Sequence, residues 1–350
     1  MAAVAGRKTA PEREMARALA EGCGAGERAA LARAISVVED RRPGFRELLR
    51  QVAAHGRRAH RTGITGPPGA GKSTLAAALA RVWRGAGEEV AIVAVDPTSP
   101  YSGGALLGDR VRMAPLRLDR GVFIRSMATR GAGGGLAEAV HDVIDLMEGS
   151  GFGRILLETV GVGQTELGVA EAADTVVVVL TPESGDEVQA MKAGLAEVAD
   201  IFVVNKADRQ EARALVRRLR DAVGLGRGRS AGGRGADALA EETGAPGWTP
   251  PVLTAVATAG EGIIALADAI EDHRRGLAES GALEARRIAR AEARIRAEVR
   301  AALEARLGRV AGDGGFGEAA RMVAGGRETV YEAAQRLLAG GGILSGDLEP

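Results

Sequence analysis

The residues best equipped for chemistry are Gly66-Pro67-Pro68-Gly69-Ala70-Gly71-Lys72-Ser73, with Thr74 next. They fit the pattern G-x-x-x-x-G-K-[ST], whose glycines let backbone N–H groups turn inward around phosphate oxygens. The positive end of the following helix adds potential, Lys72 neutralises the β- and γ-phosphates, and Ser73 is the expected Mg²⁺ ligand. This segment predicts a bound nucleoside triphosphate.

A phosphate loop does not choose the base. That choice falls to Asn205-Lys206-Ala207-Asp208, an N-K-x-D run at the end of an apolar stretch. A carboxylate at Asp208 can accept hydrogen bonds from guanine N1–H and its 2-amino group, neither of which adenine offers. Lys206 would lie along the base plane and Asn205 would brace neighbouring loops. Val256-Ala257-Thr258 could give a backbone N–H to guanine O6. GTP and GDP are therefore the expected nucleotides. Three acids are candidates for Mg²⁺ and hydrolysis: Asp96 at a strand end, Asp109 within Gly108-Asp109-Arg110, and Glu158 followed by Thr159-Val160-Gly161. Carboxylates near the γ-phosphate hold the ion or its waters. With Lys72 they form the expected catalytic set, and Gly161 would read the γ-phosphate through its N–H. Small signalling GTPases often place a water-orienting Gln directly after that glycine, but here Val162 occupies the position. Slow intrinsic hydrolysis is expected, with Gln164 available only if its loop rearranges under a partner's influence.

These groups need a scaffold of alternating strands and helices. Apolar runs at residues 61–65, 89–95, 154–157, 175–180, 201–204 and 252–255 read as strands, and residues 73–83 as the helix after the phosphate loop. Alternation of this kind predicts an α/β P-loop NTPase with a mostly parallel, doubly wound sheet. Thr175 to Leu180, a continuous aliphatic run, should be an interior strand. Residues 11–55 have helical spacing, and beyond Asp272 a long helix is expected, with Ile288, Ile295, Val299 and Leu303 on one stripe and Glu292 set to pair with Arg296. The expected layout is an N-terminal helical segment over 1–58, a GTPase domain over 59–275 and a C-terminal helical arm over 276–350. The Gly/Arg-rich stretch 224–237 reads as a solvated loop.

Lys plus Arg equal Asp plus Glu at 46 each, so total charge argues for no nucleic-acid partner. No stretch reaches the ~18 apolar residues that cross a bilayer, so no membrane partner is expected. A single cysteine, Cys23, allows no internal disulfide, and with no leader-like start a cytoplasmic location is expected. His55, His60, His141 and His273 are scattered, and each is expected at the surface or in a cap.

Taken together, GPPGAGKST, VDPTSPYSGGALLGDRVRM, LLETVGVGQTE, ESGDEVQAMKAG and VVNKAD resemble the MeaB/ArgK family, relatives of the human MMAA protein. The resemblance extends to the N-terminal LARAISVVED, to Trp248-Thr249-Pro250-Pro251 and to Tyr331-Glu332-Ala333-Ala334. It departs at Val330, where the family commonly has proline. The resemblance implies a homodimeric G-protein chaperone for an adenosylcobalamin-dependent acyl-CoA mutase, usually methylmalonyl-CoA mutase, that gates cofactor delivery and guards against inactivation. It also implies nucleotide and magnesium roles for Lys72, Ser73, Asp96, Asp109 and Glu158. Switch roles follow for Gln164 and Glu166 and, in the loop 183–192, for Glu183, Asp186, Glu187 and Lys192. The competing functions are a GTPase metallochaperone for nickel or cobalt, which normally displays Cys or His ligands, and a kinase linked to amino-acid transport.

Overall fold

The computed structural model describes residues 10–96, 113, 116, 118–128, 138–159, 168, 171–183, 198–226, 247–312 and 315–340. They divide into two compact units, one ending at Arg286 and the other starting at Arg287.

The first unit is built on a parallel seven-stranded sheet: β1 (His60–Thr65), β2 (Val90–Asp96), β3 (Val122–Ala128), β4 (Arg154–Thr159), β5 (Thr175–Leu180), β6 (Ile201–Asn205) and β7 (Val252–Ala255). Their spatial order is β3-β2-β4-β1-β5-β6-β7. The order reverses direction around β1, so the C-terminal ends of β1, β4, β5 and β6 converge on one edge, the place where open α/β sheets bind ligands.

Side chains alternate across the sheet, and both faces are covered. Ala91, Val93, Ile155, Leu157, Val176 and Val178 belong to one apolar core, shared with the helices α1 (Ala10–Gly24), α2 (Arg28–Glu39) and α3 (Phe45–Ala53). That core also takes in α5 (Glu138–Gly149) and α6 (Ala212–Gly226). Ile64, Ile92, Leu156, Val177 and Val179 belong to the opposite core with α4 (Lys72–Gly85) and α7 (Ile263–Ser280). β5 is interior and buried along its whole length, which is why it reads as unbroken aliphatic sequence. Residues 224–226 form the last turn of α6 rather than opening a loop; the rest of the Gly/Arg-rich stretch lies outside the described residues.

The expectation of one long helix beyond Asp272 needs correcting. Gly281, with φ +77°, closes α7, and a second helix, α8 (Ala282–Gly312), starts directly after it. A left-handed glycine at a helix C-terminus satisfies the last carbonyls and stops the helix. Here the Gly281 N–H donates to the Ala278 carbonyl.

The second unit holds most of α8 together with α9 (Gly315–Ala324) and α10 (Val330–Gly340). Thr329 and Glu332 start α10 as a reciprocal cap: the Thr329 N–H donates to Glu332 Oε2 at 2.8 Å, and the Glu332 N–H donates to Thr329 Oγ1 at 3.2 Å. Along α8, Ile288, Ile295, Val299 and Leu303 are exposed in this chain, Ile295 by 64%.

Candidate nucleotide site

The phosphate loop leaves β1 at Thr65 and enters α4 at Lys72. Its shape depends on glycines in two ways. Gly66, φ +133°, lies so close to β5 that a Cβ there would sit 2.1 Å from the Val179 carbonyl oxygen. Gly71, φ +86°, precedes α4 and lets the chain turn into the helix with no side-chain cap. A helix start of this kind, wrapped by a glycine turn, can bind phosphate. Lys72 is buried, and its Nζ donates to the carbonyls of Gly66 (2.6 Å) and Pro67 (2.8 Å), which holds the ammonium against the inside of the loop.

Ser73 and Glu158 come from different elements and meet. β1 and β4 are neighbours with Ile64 opposite Glu158, so the acid at the end of β4 lies beside the start of α4. Ser73 Oγ donates to Glu158 Oε1 at 2.5 Å, and both residues are buried. Asp96 ends β2, the other neighbour of β4, where Val95 pairs with Thr159. The strand ends therefore bring Asp96 and Glu158 to one edge of the sheet.

Asn205, at the end of β6, ties two loops together. Its Nδ2 donates to the Ala70 carbonyl at 2.8 Å, inside the phosphate loop, and its Oδ1 accepts from the Ala257 N–H at 3.1 Å. Gly71 leaves room for this amide, since a Cβ there would meet Nδ2 at 2.4 Å. Lys206 follows in the left-handed region, φ +56°, a conformation uncommon outside glycine. Its Nζ pairs with Glu183 Oε2 at 3.3 Å, and Arg209 pairs with the other carboxylate oxygen. Asp208 is exposed, while the Ala207 N–H donates to the Ala255 carbonyl and draws the N-K-x-D turn against the end of β7. The loop over Val256, Ala257 and Thr258 is closed by the pairing of Val256 with Glu261.

The strand ends thus assemble residues 66–74, Asp96, Glu158, Glu183, Asn205, Lys206, Asp208 and 256–258 at one edge. Asp109, Gly161, Gln164, Glu166, Asp186, Glu187 and Lys192 lie outside the described residues. Arg209 was not anticipated; a cation three residues past Lys206, in the turn ahead of α6, gives no motif signal.

His60 and His273 are not surface or cap residues, contrary to expectation. Both are buried, at the opposite end of the sheet, and both bond to Thr175 Oγ1 at 2.8 Å. His273 Nε2 lies 3.2 Å from Asp200 Oδ1, and Arg286 reaches both Asp200 oxygens, at 2.9 and 3.1 Å. Burial alone would raise the Asp200 carboxyl, but hydrogen bonds from His273 and Arg286 outweigh it and hold it at about 2. Burial pushes His60 down to about 4, with Asp174 opposing and Arg154 assisting. Sequence spacing could not reveal the cluster, because its members come from β1, β5, α7, α8 and the residue before β6.

With this geometry in view, comparison with known proteins is decisive. The family described as methylmalonyl Co-A mutase-associated GTPase MeaB matches residues 31–311. The chain belongs to the MeaB family. It is accordingly a GTPase that binds guanine nucleotide and hydrolyses GTP to GDP and phosphate. A protein of Pyrococcus abyssi named as a GTPase is 43% identical over 321 residues, covering 91% of this chain and 95% of its own. The mouse protein named methylmalonic aciduria type A homolog, mitochondrial, is 37% identical over 279 residues, 75% of this chain and 64% of its own. A crystal structure titled LAO/AO transport system kinase superposes with a TM-score of 0.67 at 26% identity, covering 93% of this chain and 97% of that one.

Proposed function

We propose that this MeaB-family GTPase is a homodimeric, Mg²⁺-dependent chaperone of an adenosylcobalamin-dependent acyl-CoA mutase, with methylmalonyl-CoA mutase as the leading partner. It gates loading of the cobalamin and protects the mutase from inactivation, in the cytoplasm. The observation that carries the reading is the ion pairing of Glu183 with Lys206 and Arg209. It connects the base-reading turn to the head of the loop 183–192, the segment through which nucleotide state would reach the mutase.

In this reading the N–H groups of residues 66–74 cradle the phosphates, Lys72 leaves the loop carbonyls for the β- and γ-oxygens, and Asp208 selects guanine. Asn205 keeps the phosphate and base loops in register, and the Ala257–Thr258 turn faces guanine O6. Gly161 reads the γ-phosphate. Ser73 and Glu158 suit magnesium, because a hydroxyl and a carboxylate are hard oxygen donors and they already converge in a buried corner. Asp96 and Asp109 complete the acidic shell. When bound, the ion would neutralise charge on the β- and γ-phosphates. Val162 offers no group to orient water, so hydrolysis waits for the partner to reposition Gln164; Glu166, Asp186, Glu187 and Lys192 carry the same signal.

The homodimer accounts for the exposed stripe on α8, since four aliphatic side chains at helical spacing form a face suited to a second helix. Among the described residues no helix is long and apolar enough to cross a membrane. The test is cofactor transfer. Adenosylcobalamin loading onto apo-mutase is followed by absorbance, with this protein bound to GTP or to a non-hydrolysable analogue. Loading that depends on hydrolysis supports the gate; identical loading with either nucleotide, or with none, removes it.

A further inference from the structure

At the end of the sheet opposite the phosphate loop, beneath the starts of β1, β2 and β4, lies a solvent-open surface cavity of about 630 Å³. Its wall includes Gly26 from the α1–α2 turn, Arg57 and Arg58 ahead of β1, Glu89 ahead of β2, and Gly151 and Gly153 ahead of β4. The length of β1, roughly 20 Å for six residues, separates these arginines from the phosphate loop. The cavity is a place of its own, distinct from the nucleotide site.

Its chemistry is rich in unspent donors. The Arg57 guanidinium reaches the Gly24 carbonyl at 3.3 Å and has no carboxylate within ion-pair distance among the described residues. Among the described residues Arg58 approaches only the Glu148 carboxylate, at 3.6 Å, which is already bound by Arg61 Nε at 2.8 Å. The backbone N–H groups of Arg57, Arg58, Glu89 and Gly153 donate to no other described residue. Glu89 is paired with Arg28 at 3.5 Å, and the Arg28 guanidinium lies 4.2 Å over the Phe152 ring, which fixes that side of the wall. Gly26 and Gly153 present bare backbone: a Cβ on either would meet nothing within 4 Å.

We propose that this cavity is a second ligand site, which binds a small phosphorylated metabolite. Arg57, Arg58 and the neighbouring N–H groups take the phosphoryl oxygens, and Glu89 accepts from a hydroxyl of the carbon skeleton. Two exposed guanidiniums and four N–H groups in one lining match a dianion with three acceptor oxygens better than a carboxylate with two. The volume falls within the range of small-molecule sites. An occupant would touch the α1–α2 turn and three strand starts at once, so it would brace the N-terminal helices on the sheet.

The test is calorimetric titration of the full chain with ribose 5-phosphate and with inorganic phosphate, GDP being present in excess. Ribose 5-phosphate should bind with a Kd of about 0.1–1 mM, more tightly than inorganic phosphate, while unphosphorylated ribose gives no heat. Arg57→Ala/Arg58→Ala should weaken binding at least tenfold. Gly153→Leu, which keeps both arginines and fills the cavity, should abolish it. Both variants should keep the wild-type GDP affinity and melting temperature, which separates loss of the site from loss of the fold. The same differences should persist in a Lys72→Ala background, where the phosphate loop does not contribute. Absence of binding by either phosphate probe, or binding untouched by both variants, would overturn the proposal.

Discussion

Asn205→Ala strikes the point where the base loop and the phosphate loop are joined. Asn205 is 3% exposed, and its amide serves a carbonyl at Ala70 and an N–H at Ala257, both on buried residues. Alanine leaves one acceptor and one donor without partners. Each such group costs about 1–3 kcal/mol when buried, so the expected loss is about 3 kcal/mol of stability. Urea unfolding should register it as a lower midpoint with an unchanged slope. The phosphate loop also loses its tether to the base side, so a fluorescent GDP analogue should bind about 10- to 100-fold more weakly, or about 1.4–2.8 kcal/mol. Asn205→Asp sharpens the test. It keeps an acceptor for the Ala257 N–H but sets a second oxygen against the Ala70 carbonyl, so it should fare no better than alanine. A stability change below about 0.5 kcal/mol with GDP affinity intact, or full rescue by aspartate, would refute the reasoning.

Asp208→Asn exchanges a carboxylate for an amide at the proposed base reader and should shift preference from GTP to xanthosine triphosphate; unchanged preference in competition binding means another residue reads the base. Acid should destabilise the fold through His60, whose pKa falls from 6.5 to about 4 on burial. The unfolded chain then takes up this proton first as pH drops, so stability is complete above about pH 6.5 and falls by about 3 kcal/mol on the way to pH 4. His60→Gln should flatten that limb of the stability–pH curve, and a limb of unchanged slope would assign it to other groups. Ile295→Glu/Val299→Glu places charge on the exposed stripe of α8 and should raise the dimer Kd at least a hundredfold in sedimentation, since burying each aliphatic side chain contributes about 1.5–3 kcal/mol; an unaltered dimer would put the interface elsewhere.

The parallel sheet was legible because interior strands leave continuous aliphatic runs, as at Thr175 to Leu180, and because glycine and N-K-x-D punctuation marks their C-terminal ends. β3 escaped notice for the converse reason. It is an edge strand that carries Arg125 and Ser126 in its middle, and Arg125 is spent on an ion pair with Glu39 of α2. The break at Gly281 was hidden because helical periodicity continues on both sides of a single glycine. The motifs named Lys72, Ser73, Asn205 and Asp208, and the meeting of Ser73 with Glu158 follows from strand order, which spacing does not encode. The His60–Thr175–His273–Asp200 cluster and the Arg57/Arg58 cavity were invisible for one reason. Each is assembled from residues far apart in the chain, and no single segment carries a pattern that announces it.

Under the proposed function, GTP hydrolysis by this protein answers to a mutase. The most direct test is steady-state GTP hydrolysis by the purified protein, alone and with each adenosylcobalamin-dependent acyl-CoA mutase of the same genome, with Asp109→Ala as the control. Slow hydrolysis that one mutase accelerates strongly, and that the control abolishes, is the predicted result. GTP bound tightly but hydrolysed at the same rate whichever mutase is present would contradict it.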